Sequence, residues 1–273
     1  MLIFDANAEL RERFLPFIAK HTGVLLYRRK TAKGPADFGL GACVHIEYQG
    51  HRFSVTCEHV TQNADELYNL VITPSKEPRP LVISELSPAT VIKSVPQIDL
   101  TILDSQNEDF AAALKQPYPL ANSDYVTQEC LEHEPGALSV IAAAFASHAR
   151  IVPHGKVIYF EGPVYAAGGP IISVSSVSII ADFREKQRLY HNVELFPQLE
   201  DMQISGASRD LSGMSGSGLW IRNDHGVVLA GILKGTASGR VGDPELRFIP
   251  VWLLPALLND LLKESVPQIR PLG

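Results

Sequence analysis

Short runs in which apolar and polar residues alternate recur along the chain, and turn-forming residues separate them. A period of two is typical of a half-buried β-strand, whereas an amphipathic helix needs a period near 3.6 residues. Two of these runs, Cys43–Tyr48 and Phe53–Thr56, flank a short loop that contains Gly50, which predicts a β-hairpin. Many short strands at regular spacing favour barrels or a sandwich over alternating strands and helices.

Further strands are expected in both halves of the chain. The runs with strand-like composition are Val24–Tyr27, Leu70–Ile72, Leu81–Ile83, Thr90–Ile92, Leu100–Leu103, Leu138–Ile141, Val157–Phe160, Ser173–Ile180 and Val227–Leu233. The polar, acidic stretch 117–135 is predicted to link the two halves.

Helices are expected only near the two ends. Leu10, Phe14 and Phe17 fall at helical spacing, although Pro16 is a residue that kinks or shortens a helix. Val251–Leu262 is helical by its periodicity.

Composition excludes several classes of protein. The chain has 273 residues, of which 45% are hydrophobic and 20% charged, so a sizeable folded core is expected rather than disorder. A net charge of −6 disfavours nucleic acid and anionic membranes as partners. No apolar run approaches the roughly 20 residues of a membrane span, and charged residues interrupt the N-terminal segment where a signal peptide would be apolar. A cytoplasmic protein is therefore predicted.

The cysteines do not form a recognisable framework. Cys43, Cys57 and Cys130 are three in number and lack the paired spacing of disulfide-rich domains or zinc sites, so no metal site and no cofactor are expected. Cys43 and Cys57 lie almost symmetrically about the predicted hairpin turn, which leaves a disulfide between them as an open alternative.

The segment Gly213–Gly218 has a composition suited to nucleophilic chemistry. Ser215 stands between glycines, and a tight turn of this kind presents a hydroxyl beside bare backbone amides that bind a developing oxyanion. Ser217 and Ser212 are rival nucleophiles, and a plain glycine-serine turn is the structural alternative.

A histidine and an aspartate precede this serine, each in a strand context. His59 follows the strand Phe53–Thr56, and Asp99 opens the apolar strand Leu100–Leu103. The alternatives are a structural histidine at a strand end and a capping aspartate, with Asp104 as the nearest rival carboxylate. The remaining histidines are interpreted as solvated; they are His21, His45, His51, His133, His148, His154, His191 and His225.

The order His59, Asp99, Ser215 resembles that of the chymotrypsin-like (trypsin-fold) serine peptidases of the intracellular and bacterial branch. The resemblance covers about residues 24 to 262, and the spacings of about 40 and about 116 residues suit two six-stranded antiparallel barrels. It implies that Ser215 is the nucleophile, His59 the general base and Asp99 its orienting carboxylate. It also implies an oxyanion hole made by the amides of Gly213 and Ser215.

The same resemblance implies a domain division. It implies a first barrel over 23–125 and a second barrel over 126–248, while helical periodicity predicts an N-terminal amphipathic helix over 1–22 and a C-terminal helix and tail over 249–273.

Two features bear on activation and specificity. Met214 stands where the secreted members carry an aspartate that pairs with a new N-terminal ammonium group, so maturation by that route is not expected. Arg209 and Lys234 fall at positions that line the substrate pocket in the family, which favours an acidic or polar substrate side chain. Pairing of Arg209 with Asp210, or its exposure to water, is the alternative.

The leading hypothesis is a serine endopeptidase that acts on protein or peptide substrates. The alternative is a catalytically inactive trypsin-fold module that clamps an extended peptide without cutting it. A regulatory protein partner, within a larger bacterial signalling or defence assembly, is a further hypothesis.

Overall fold

A computed structural model describes most of the predicted strands and both barrel cores. The described residues are 15–29, 38–62, 64–71, 80–82, 88–105, 117–121, 126–133, 138–144, 152–154, 157–159, 164–182, 190–191, 213–223, 226–240 and 245–265.

Strands make up most of this described part. In chain order they are β1 (Thr22–Arg29), β2 (Phe38–Tyr48), β3 (His51–Cys57), β4 (Ala64–Val71), β5 (Pro80–Val82), β6 (Thr90–Val95), β7 (Leu100–Asp104), β8 (Tyr118–Pro119), β9 (Leu138–Ala144), β10 (Val152–His154), β11 (Val157–Tyr159), β12 (Val164–Ser175), β13 (Ser178–Asp182), β14 (Tyr190–His191), β15 (Gly218–Asn223), β16 (Gly226–Thr236) and β17 (Glu245–Pro250). The helices are α1 (Leu15–His21), α2 (Glu58–Thr61), α3 (Gln128–His133), a 3₁₀ turn (Val251–Leu253) and α4 (Leu254–Ser265).

The first barrel is a six-stranded antiparallel sheet in the order β4-β1-β2-β3-β7-β6. An isolated bridge between Tyr68 and Pro88, with the Ala89 amide donating to the Leu67 carbonyl at 2.7 Å, brings its two edges together. The short strand β8 adds to β2 in parallel. Tyr118 of β8 is fully buried, so this part of the predicted linker packs into the core.

The second barrel also has six antiparallel strands, in the order β13-β17-β16-β15-β9-β12. It closes because β12 pairs with β13 as well as with β9. The two-residue strand β14 adds to β12, and β5, β10 and β11 form a separate three-stranded sheet.

The hairpin β2–β3 is buried on both of its faces. One face carries the apolar residues Val44, Ile46, Phe53 and Val55, as the alternation predicts. The other face carries polar residues, yet His45 on it is fully buried. The interpretation of His45 and His21 as solvated histidines is therefore wrong, because α1 packs over β1 and β2 and covers this face.

One other expectation is corrected, and one open alternative is decided. Ser173–Ile180 is not one strand but the hairpin between β12 and β13, with Ser176 and Val177 in its turn. Cys43 and Cys57 are buried, and no disulfide joins them. The pairing of Val44 with Val55 places the two cysteines on opposite faces of the sheet, because Cys43 then lies opposite Thr56.

Each terminal helix contacts the barrel that lies farther from it along the chain. Phe17 of α1 lies 5.8 Å from the Trp220 ring in β15 and 6.3 Å from the Tyr118 ring in β8, both edge to face. From α4, Asn259 accepts a hydrogen bond of 3.0 Å from Gln49, and Glu264 pairs with Lys93 at 3.2 Å. The helices of the described part are all too short or too polar to cross a membrane. The N-terminal part of the predicted first helix lies outside the described residues.

Candidate active site

His59 lies where the first barrel changes from strand to helix. The strand β3 ends at the extended residue Cys57, and the single turn α2 begins at Glu58. Because the chain turns here, the side chain of His59 leaves the sheet and is 45% exposed.

Asp99 lies beside His59 because β3 and β7 are neighbours in the sheet. Cys57 pairs with Leu100, and the Glu58 amide donates to the Asp99 carbonyl at 3.1 Å. Asp99 ends a tight turn in which its own amide donates to the Pro96 carbonyl at 3.1 Å. Its φ of +62° lies in the left-handed region, which aspartate tolerates better than most residues.

Three hydrogen bonds join His59 to the Asp99 carboxylate, two from its ring and one from its backbone amide. The His59 Nδ1–H donates to Asp99 Oδ2 at 2.9 Å and to Oδ1 at 3.1 Å, and the His59 amide donates to Oδ1 at 2.9 Å. Burial alone would raise the pKa of Asp99, but these hydrogen bonds and the charges of His59 and Lys234 outweigh it. The pKa of Asp99 is therefore lowered, and the carboxylate is ionised at neutral pH.

The turn that carries Ser215 is held by both barrels. The Ser215 carbonyl accepts a hydrogen bond of 3.0 Å from the Ala42 amide of β2. From β16, the Leu233 carbonyl accepts from the Gly216 amide at 2.8 Å, and the Leu233 amide donates to the Ser217 carbonyl at 2.7 Å. These bonds hold the turn between β2 of the first barrel and β16 of the second.

Gly216 is required by the close approach of the first barrel. Its φ is +94°, and a Cβ at this position would overlap the Thr56 hydroxyl and the Ala42 carbonyl, whose carbon would be only 2.9 Å away. Only glycine combines that backbone conformation with this contact.

The structure distinguishes the candidate serines of this turn. Ser217 is fully buried, and its hydroxyl donates to the Met214 carbonyl. Ser215 is only half-buried, which leaves it the more accessible alcohol. Ser212 lies outside the described residues. Within the described part of the chain, the Gly213 and Ser215 amides donate to no other backbone group.

Comparison with known proteins identifies the fold. No protein-family model and no curated protein matches the chain. Among solved structures, the HtrA-type protease AlgW with tripeptide is similar, with a TM-score of 0.52 and 15% identity over 95% of this chain and 64% of that one. The Rv3671c protease from M. tuberculosis, active form, has a TM-score of 0.51 and 13% identity, over 97% of this chain and 89% of that one. The chain has the trypsin-like fold.

This result confirms the predicted all-β, two-barrel architecture. The chain spans less than two thirds of the AlgW chain that it matches. At identities of 13–15%, the likeness extends to the fold alone.

One of the two predicted pocket cations, Lys234, acts electrostatically on Asp99. The charge of Lys234, on β16, helps to lower the pKa of Asp99. Arg209 lies outside the described residues. Met214 is fully buried and, being apolar, has no charge to offer an ammonium group.

Sequence reasoning missed the backbone groups that hold this site, because residues of any type carry them. The Ala42 amide and the Leu233 carbonyl act through the backbone, so no side chain signals them. The Cys57 thiol also donates to the Leu233 carbonyl, at 2.9 Å. Burial, and then the negative charge of Asp99, raises the pKa of the Cys57 thiol, which is therefore neutral at pH 7.

Proposed function

We propose that this chain is a serine endopeptidase in which Ser215, His59 and Asp99 cleave peptide bonds through an acyl-enzyme. The paired hydrogen bonds from His59 to the ionised Asp99 carry this proposal, because they fix the imidazole in one tautomer. With Nδ1 donating to the carboxylate, Nε2 is the nitrogen left to accept a proton.

The chemical steps follow from these roles. His59 takes the proton of the Ser215 hydroxyl as its oxygen attacks the peptide carbonyl, and Asp99 stabilises the imidazolium that forms. The same proton then passes to the leaving amine, which separates as the acyl-enzyme forms. Water, activated by His59, hydrolyses the ester and restores Ser215.

The amides of Gly213 and Ser215 are assigned to the oxyanion that develops during attack. Gly213 has a φ of +88°, a conformation that glycine adopts without strain. Because both amides donate to no other backbone group in the described part of the chain, they are suited to bind negative charge.

We assign the substrate backbone to the end of β16 beside the Ser215 turn. The pairing of β16 with β15 ends at Ile232, whereas its pairing with β17 continues to Thr236. Within the described part of the chain, Lys234 to Thr236 therefore have an open edge on the side away from β17. An extended peptide can add to such an edge as a further strand. The structure of AlgW holds a tripeptide, which supports a peptide as the ligand.

The charge of Lys234 supports a preference for an acidic or polar side chain near the scissile bond. Arg209 is proposed as the second cation of this pocket. Cleavage-site profiling on a peptide library tests this preference, which a basic consensus would contradict.

The proposed nucleophile is tested with a fluorophosphonate probe, which reacts with activated serines. The wild-type chain should be labelled, and Ser215→Ala should not. Ser217→Ala is the matched control, because this serine lies in the same turn with its hydroxyl already bonded, and it should keep the label. Labelling of Ser215→Ala would contradict the assignment.

The same experiment tests the inactive binding module. If the folded wild-type chain is never labelled but binds an extended peptide, the clamp replaces the peptidase. Cleavage of casein by the isolated chain would remove the reason for a regulatory partner.

A further inference from the structure

Three side chains with different donor atoms converge at the junction of the barrels. The Sγ of Cys57, a ring nitrogen of His59 and a carboxylate oxygen of Asp99 lie within 4.8 Å of one another. Sulfur, nitrogen and oxygen donors of these kinds are the ligands that Zn²⁺ takes in proteins. We propose that Cys57, His59 and Asp99 bind one zinc ion, or another thiophilic divalent cation, and that the bound ion inhibits catalysis at this site.

The distances fit such an ion after small movements. Tetrahedral zinc, with bonds of about 2.0–2.3 Å, places its ligand atoms roughly 3.3–3.8 Å apart. His59 Nδ1 and Asp99 Oδ2 are 2.9 Å apart, and the remaining separations in the cluster do not exceed 4.8 Å. Adjustments of about 1 Å, within the reach of side-chain rotation, therefore complete three ligands and leave the fourth position to water.

The cluster is buried on the side of Cys57 and exposed to solvent on the side of His59. The Cys57 thiol is fully buried, whereas the imidazole of His59 is 45% exposed and the Asp99 side chain 13% exposed. The ion would enter from the side of His59 and reach Cys57 last. In doing so it would replace the hydrogen bond from the thiol to the Leu233 carbonyl.

The charges balance when zinc is bound. The Cys57 thiol loses its proton to solvent and becomes a thiolate, so the two negative charges of Cys57 and Asp99 equal the charge of Zn²⁺. The proton on His59 Nδ1 moves to Nε2 if Nδ1 is the ligand, and the ring stays neutral. The negative charge of Asp99 opposes ionisation of the Cys57 thiol, but the same charge attracts the cation. The positive charge of Lys234 acts against it.

The proposed zinc site is argued from these three side chains alone. The proposal that zinc inhibits peptide cleavage rests in addition on the proposed peptidase function. A coordinated imidazole no longer accepts the proton of Ser215, so the ion and catalysis exclude each other. Sequence spacing does not reveal the site, because Cys57 and His59 supply only two ligands and Asp99 comes from the neighbouring strand.

The experiment uses the full chain with Cys130→Ser as its background, since Cys130 is exposed and thiolates are general ligands of Zn²⁺ and Co²⁺. Zn²⁺ binding is measured by titration calorimetry, and Co²⁺ is added separately, because cobalt bound to a thiolate gives a charge-transfer band. The variants are Cys57→Ala and, as a matched buried cysteine on the opposite face of the sheet, Cys43→Ala. Ser215→Ala removes the nucleophile but keeps all three ligands.

We expect one equivalent of Zn²⁺ and a cobalt–thiolate band in the background chain, in Cys43→Ala and in Ser215→Ala. Cys57→Ala should lose the band and bind zinc more than about 100-fold more weakly, since even outer-shell partners of metal ligands change affinity by 10–100-fold. His59→Ala, a change at an exposed position, should lose affinity likewise and serves if Cys57→Ala does not fold.

Equal zinc affinity in the background chain and Cys57→Ala, or a folded chain without the thiolate band, would overturn the site. The two proposals fail separately. A chain that binds zinc through Cys57 but never reacts with the fluorophosphonate probe refutes the peptidase alone. A labelled chain that binds no zinc refutes the metal site alone.

Discussion

We expect acid to destabilise this fold through His45. Its Nδ1 lies 2.8 Å from the Ser54 hydroxyl, which in turn lies 2.5 Å from the Ser105 hydroxyl. Burial, with a smaller contribution from the charge of His21, lowers the pKa of His45 from 6.5 to about 3. The Cys43 thiol on the same face is neutral, because burial raises its pKa.

The sign and size of the effect follow from this shift. Between pH 6.5 and about 3 the unfolded chain binds a proton at His45 that the folded chain does not. The stabilisation is therefore complete above pH 6.5 and is lost as the pH falls, by up to about 1.4 kcal/mol per pH unit. From pH 7 to pH 5, His45 alone should remove about 2 kcal/mol from the free energy of unfolding.

Urea unfolding at pH 7 and pH 5 measures this loss. His45→Gln has no titrating group but keeps an amide that can bond Ser54. It should be less stable than wild type at pH 7, and its loss on acidification should be smaller by about 2 kcal/mol. Equal pH dependence in the two proteins would refute the reasoning. In the wild type, an NMR titration independently checks the pKa of His45, and titration near pH 6.5 would also refute it.

Three further predictions concern single residues. Asp99→Asn should lower kcat by about 10³–10⁴, since the amide no longer orients the imidazole. Its melting temperature should change little, because asparagine tolerates the same backbone conformation. The control Asp104→Asn, exposed at the far end of β7, should leave kcat unchanged. Gly216→Ala should cost roughly 2–4 kcal/mol in urea unfolding, through strain at positive φ and overlap with β2, and a cost below 1 kcal/mol would contradict the packing described. Phe17→Ala should cost about 2–3 kcal/mol in the same assay, less than for a fully buried ring, and an unchanged midpoint would show that α1 does not support Trp220.

The parts of the fold that follow from local pattern were predictable from the sequence. Alternation predicted the β2–β3 hairpin, because a period of two requires only that one face be apolar. The apolar run Leu100–Leu103 predicted the strand after Asp99. The glycines around Ser215 indicated a tight turn, and the structure has φ values there that favour glycine. The pairing of His59 with Asp99 could be predicted only with the further inference that their two strands are neighbours in the sheet.

The remaining features depend on contacts that alternation does not encode. His45 is at a polar position of its strand, but a helix from elsewhere in the chain covers it. The turn at Ser176 and Val177 contains neither glycine nor asparagine, so nothing in the composition separated β12 from β13. Arg209 lies outside the described residues, and its place in the pocket stays a prediction.

The crossed docking of the terminal helices has a consequence for how the chain acquires its structure. α1 leads into the first barrel but places Phe17 against Trp220 of the second, while α4 follows the second barrel and bonds to Gln49 of the first. We therefore expect neither half to fold stably without the other. Fragments separated between the barrels should each be poorly folded alone and should recover native structure when mixed, as in split-protein complementation.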